Sequence, residues 1–178
     1  MSNTLLEQFS QLEETTNEFL SHISDWSDEQ LSQKEDKNNW SANQVIEHLI
    51  SSETGTLVYM KKKSSSGWDV LEDATDETRA AGQALTARLS TNMRIVAPSV
   101  LPEPTNDLSH AQLRTQWSAL RTELKSFIDN IKPEHYKKLV FKQPSIGMIH
   151  IIATMQFLDA HVRHHIHQLE RIKSSVLA

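Results

Sequence analysis

A chain of 178 residues with a formal charge of −5, 38% hydrophobic and 23% charged residues, has the composition of one ordinary globular domain able to bury a sizeable core. The acidic balance offers no field for a nucleic-acid backbone, and no basic run interleaved with aromatics tracks along a helix. With no cysteine there is no disulfide framework, thiolate ligand or cysteine nucleophile.

The N-terminal ten residues lack the basic start and apolar block of a signal peptide. No stretch approaches the roughly 18 apolar residues of a membrane span, so the cytoplasm is the expected location. The first helix is expected over about residues 3–23, with Leu5, Leu6, Phe9, Leu12, Phe19, Leu20 and Ile23 on its core side. Trp26 to Asn39 reads as a connection. The next start is sharply marked. Ser41 followed by Gln44 forms a capping box, and Trp40 with Val45 fits a hydrophobic staple, so a second helix is predicted from Ala42 to about Lys62. Lys61, Lys62 and Lys63, running into Ser64-Ser65-Ser66-Gly67, read as a solvated helix end and loop rather than a phosphate or membrane patch.

Ser64 to Leu108 is too long for a bare loop. Asp76 to Met93 carries good helix formers with Leu85 and Leu89, which predicts a short extra helix; an extended segment with Pro98, Pro102 and Pro104 follows over 97–105. The third main helix is expected from about Ala111 to Ile131, capped by Ser109, with Leu113, Trp117, Leu120, Leu124, Phe127 and Ile131 inward and Pro133 beyond its end. The fourth is expected to start near Ile146 to Met148 and to run towards Lys173, with 174–178 fraying. No sheet is needed. The pattern is all-α, a single domain of four main helices with a long crossover between the second and third that could cover the bundle mouth and lets those two run parallel.

Four of the nine histidines, His161, His164, His165 and His167, fall within seven residues of the last helix. Its apolar stripe is Ile151, Met155, Leu158, Val162, Ile166 and Leu169. On a helical wheel His161 and His165 share one flank of that stripe, whereas His164 and His167 point away from it and are expected to be exposed. Imidazoles at i and i+4 stand one above the other and can converge on a single ion. An HxxxH pair by itself is equally a fortuitous cluster on a solvated face, so a third ligand is required. His48 is the best candidate, since it falls between Val45, Leu49 and Leu57 on the inner face of the second helix. A hydrogen-bonded core histidine is the alternative there.

Trp40-Ser41 followed by Val45-Ile46-Glu47-His48-Leu49 and Glu53, and Pro144-Ser145-Ile146-Gly147 leading to Phe157-Leu158-Asp159-Ala160-His161 and on through His165 to Gln168 and Leu169, resemble the DinB-like (DinB/YfiT) superfamily of metal-binding four-helix bundles. That resemblance implies the ligand set His48, His161 and His165, the same pair that the wheel selects on the last helix. It also implies an up-up-down-down-like arrangement, a small-molecule substrate and a possible homodimer. Some members look like metal-dependent hydrolases; others resemble S-transferases that hold the thiolate of a low-molecular-weight thiol.

Three neutral imidazoles suit zinc, nickel, copper or iron, with zinc or nickel foremost, and leave positions for water or substrate. Asp159 and Gln168 flank the pair and could hydrogen-bond a ligand's free ring nitrogen or a substrate, Gln168 with the better claim. Glu47 and Glu53 do not share the direction of His48 and read as surface or pairing residues. Trp40 reads as the staple, and Trp117 as core. The expected function is a metal-dependent hydrolase or thiol S-transferase; the alternative is a non-catalytic, metal-stabilised binding or stress-associated module.

Overall fold

Four helices begin with the same device. Thr4 with Glu7, Ser27 with Gln30, Ser41 with Gln44 and Ser109 with Gln112 form reciprocal capping boxes, each satisfying backbone N–H groups that a helix start would otherwise strand. The computed structural model describes residues 4–34, 36–91 and 101–176. Its elements are α1 (Leu5–Ser21), α2 (Asp28–Ser32), α3 (Ala42–Ser64), α4 (Asp76–Leu89), α5 (His110–Asp129), a 3-10 turn (Pro133–His135), β1 (Leu139–Gln143), β2 (Gly147–His150) and α6 (Ile151–Val176). No helix among the described residues is long and apolar enough to cross a membrane.

The four main helices α1, α3, α5 and α6 form the bundle, with α1 against α6 and α3 against α5. Cross-helix pairs fix their directions. Glu53 meets Trp117 and Lys61 meets Glu123, so both partners advance together and α3 runs parallel to α5, as the long crossover allows. Glu13 meets Arg121 while Phe19 meets Trp117, which sets α1 antiparallel to α5. Thr15 meets Asp159 while Glu18 meets Arg163, so α6 runs parallel to α1 and therefore opposes α3. The sense along the chain is therefore up-down-down-up rather than up-up-down-down: the short α1–α3 link reverses direction, and only the long crossover preserves it.

One core runs through the bundle, with Leu12, Phe19, Val45, Ile46, Met60, Leu124, Ile149, Ile151 and Met155 among its buried side chains. Leu6, expected inward, is 49% exposed. The crossover helix α4 lies along α6 and packs closely: a Cβ on Gly82 would stand 3.2 Å from the Cβ of Ala153. The far end of the crossover is pinned to the first turns of α3. Gln44 donates to the Pro104 carbonyl, Glu47 accepts from the Thr105 and Asn106 amides, and Ser41 donates to Asn106. Pro98 and the start of the expected extended segment lie outside the described residues.

The largest departure from expectation is a hairpin. Residues 139–150, in which the last helix was expected to begin, pair as antiparallel β1 and β2. Pro144 to Gly147 form the turn, with Gly147 at φ +85° and the Gln143 side chain accepting from the Ser145 and Ile146 amides. The β-formers Leu139-Val140-Phe141 favour strand, and α6 starts only at Ile151, where the His150 ring accepts from the Ala153 amide in the manner of an N-cap.

Candidate metal centre

α3 delivers His48 two turns after its cap, and α6 delivers His161 and His165 one turn apart. The Nε2 atoms of His48 and His161 are 3.2 Å apart, as are those of His165 and His161, and one ligand atom from each ring lies within 4.8 Å of both others. Among the described residues these three form the sole cluster of this kind.

Electrostatics keep the rings neutral. Burial, with the charge of His164 adding to it, pushes His48 down to about 4; burial and His48 push His165 to about 3. Burial, His165 and His48 hold His161 well below the ordinary histidine value. Three nitrogen lone pairs crowded in a desolvated corner are poor company for one another and a good donor set for a cation. Gln168 completes the arrangement. Its Oε1 lies 2.7 Å from Nδ1 of His165, so that nitrogen carries the ring proton and Nε2 presents its lone pair to the other two rings. The residues therefore fit a divalent transition metal.

The cluster faces a cavity of about 770 Å³ whose lining includes Trp40, Tyr59, Phe141, Phe157, His164 and Gln168. Trp40 thus does more than begin α3: its ring lies 4.9 Å from that of His48. Asp159 is directed elsewhere. It accepts from the Thr15 hydroxyl and pairs with Arg163, joining α6 to α1. Glu47 holds the crossover. Glu53 is buried rather than on the surface: it pairs with Arg121 at 2.6 Å and accepts from Nε1 of Trp117 at 3.1 Å. Burial holds its carboxyl above the ordinary value, an effect that Arg121 and Trp117 oppose without cancelling.

His164 corrects the wheel. It is 6% exposed because α4 covers the side of α6 that a bare four-helix bundle would leave to solvent. His167, also expected to be exposed, is half-buried, 3.4 Å from Glu170. Sequence reasoning also missed Phe141 and the hairpin that carries it, although Leu139-Val140-Phe141 ahead of Pro144-Ser145-Ile146-Gly147 is a short strand followed by a turn signal.

The fold and this corner together define a helical bundle with a three-histidine candidate metal centre open to a cavity. The sequence profile of the DinB superfamily matches residues 11–169, and the chain belongs to that family. It is similar to the uncharacterized protein YuaE of Bacillus subtilis (strain 168), 26% identical over 151 residues that cover 84% of this chain and 87% of that one. Its fold is similar to that of YfiT from Bacillus subtilis, with a TM-score of 0.63 at 14% identity, over 98% of this chain and 88% of that chain. YfiT is described as a probable metal-dependent hydrolase with an unusual four-helix bundle topology.

Proposed function

We propose that the protein is a metal-dependent enzyme acting on a small molecule, with His48, His161 and His165 as the ligands of one divalent transition metal, zinc or nickel foremost. The observation that carries the reading is the convergence of three neutral Nε2 atoms at the wall of a cavity large enough for substrate. When bound there, the ion would supply Lewis acidity towards water or towards a substrate oxygen or sulfur. The protein's own contribution is positional. Gln168 holds the tautomer of His165, Trp40 and Phe157 flank His48 and His161 and exclude water from them, and the cavity admits substrate on the side that the ligands leave open.

Hydrolysis is the first reading, in keeping with the description of YfiT; transfer to a low-molecular-weight thiol is the second chemistry that such a centre supports. A purely structural metal calls for a fourth protein ligand, and the cluster among the described residues holds three. The test is the metal content of untagged protein purified without added metal, beside His48→Ala and His164→Ala. About one equivalent of a transition metal, lost in His48→Ala and kept in His164→Ala, is expected. No metal in the wild type after repletion, or equal loss in both variants, overturns the assignment.

A further inference from the structure

The cavity has an aromatic wall, polar side chains such as Ser52, Thr56 and Gln168, and a charged rim. Arg88, Glu103 and Lys142 all line it and all are exposed, so they stand at its mouth. Inward from them the wall is a ladder of rings. Phe157 stacks on His161 with centroids 5.6 Å apart and planes within 11°; Phe141 of β1 stacks on Phe157 at 6.1 Å; Tyr59 of α3 meets the face of Phe141 edge-on at 5.7 Å. These packed rings form an aromatic wall that leads away from the histidines, built from three different elements.

Besides Tyr59, α3 lines the cavity with His48, Ser52, Gly55 and Thr56. Gly55 is anomalous. It lies in the interior of a 23-residue helix, where glycine costs about 1 kcal/mol relative to alanine. Neither usual reason for a glycine applies, because its φ is not positive and a Cβ built on it would meet no atom within 4 Å. Gly82, by contrast, is required by its contact with Ala153. Gly55 is exposed and leaves the helix surface bare towards the mouth of the cavity, about 10 Å along the axis from His48 at 1.5 Å per residue.

We propose that the cavity receives a small molecule with a metal-coordinating head at the three histidines and an apolar, ring-bearing body that lies along Phe157, Phe141 and Tyr59 and crosses α3 at Gly55, which makes Gly55 a specificity-determining position. The inference rests on the metal-centre reading above. A side chain at 55 would occupy the space of the body without touching the head, and a polar body would gain nothing from the ring ladder.

The test uses cobalt(II)-loaded full-length protein, with the visible spectrum reporting ligand binding. Acetohydroxamate probes the head alone, and 6-phenylhexanohydroxamate adds a ring-bearing body. The phenyl compound is expected to bind the wild type about tenfold tighter or more, from the apolar area it buries. Gly55→Leu is expected to cancel that gain while leaving acetohydroxamate unchanged. Gly55→Ala, which places a single methyl in open space, is expected to keep the fold and cobalt and to lose part of the gain. Equal affinity of the wild type for both compounds, or an undiminished gain in both variants, overturns the proposal. A wild type that takes up no cobalt overturns the metal centre itself, a failure seen before any hydroxamate is added.

Discussion

Replacing Gln168 by leucine tests the site through a group that would never touch the ion. His165 is 6% exposed, and its Nδ1–H has Gln168 Oε1 as its partner at 2.7 Å. In metal-free Gln168→Leu the ring can move its proton to Nε2 and donate to Nε2 of His161, 3.2 Å away, so little is lost. Metal binding forbids that escape, because Nε2 must then present its lone pair and the proton stays on Nδ1, buried beside a hydrocarbon. A stranded buried donor costs about 1–3 kcal/mol, and each factor of ten in affinity is about 1.4 kcal/mol. Zinc affinity should therefore fall about 10- to 100-fold, the range typical for loss of a ligand's outer hydrogen-bond partner. Competition against a fluorescent zinc chelator measures it, with Gln168→Glu, which keeps an acceptor, binding as tightly as the wild type or more so. Nitrogen chemical shifts of the metal-free variant should also show His165 in the other tautomer. Affinity within about twofold of the wild type in the leucine variant would refute the argument, since such a change is worth only about 0.4 kcal/mol.

Arg121→Met should strand the buried Glu53 carboxylate, which then protonates. The folded-state pKa in the variant is raised, so the loss is smallest near and below 4.5 and grows as pH rises; denaturant midpoints with the same deficit at pH 5 and pH 7 would exclude this role for Arg121. His150 has the opposite sign. Burial, with Arg79 adding to it, holds its pKa below 6.5, and its neutral Nδ1 receives the Ala153 amide at the start of α6. That contribution is full above pH 6.5 and is lost as pH falls below it. His150→Asn, an acceptor that does not titrate, should match the wild type at pH 8 and exceed it at pH 5 by about 1 kcal/mol, the usual size of a helix cap, in metal-free protein followed by thermal unfolding.

Much of this molecule is legible locally. Capping boxes involve residues three apart, and the i, i+4 pairing of His161 and His165 is a property of any helix, so helix starts and the pairing of two of the three candidate ligands can be read from the chain alone. The crossover length likewise allows α3 and α5 to run parallel, which the contacts between them then show. What depends on partners distant in sequence could not be read there. Nothing in the neighbourhood of His164 says that α4 will cover it, and nothing near Glu53 announces that Arg121 and Trp117 will meet it inside the bundle. Strand pairing decides residues 139–150, because a short apolar run is helix or strand according to what it packs against. The meeting of His48 with His161 is of the same kind. Each residue is placed on a face by its own helix, but only the antiparallel packing of α3 on α6 brings their nitrogens to 3.2 Å, and with them the opening onto the cavity beside Gly55 and Phe157.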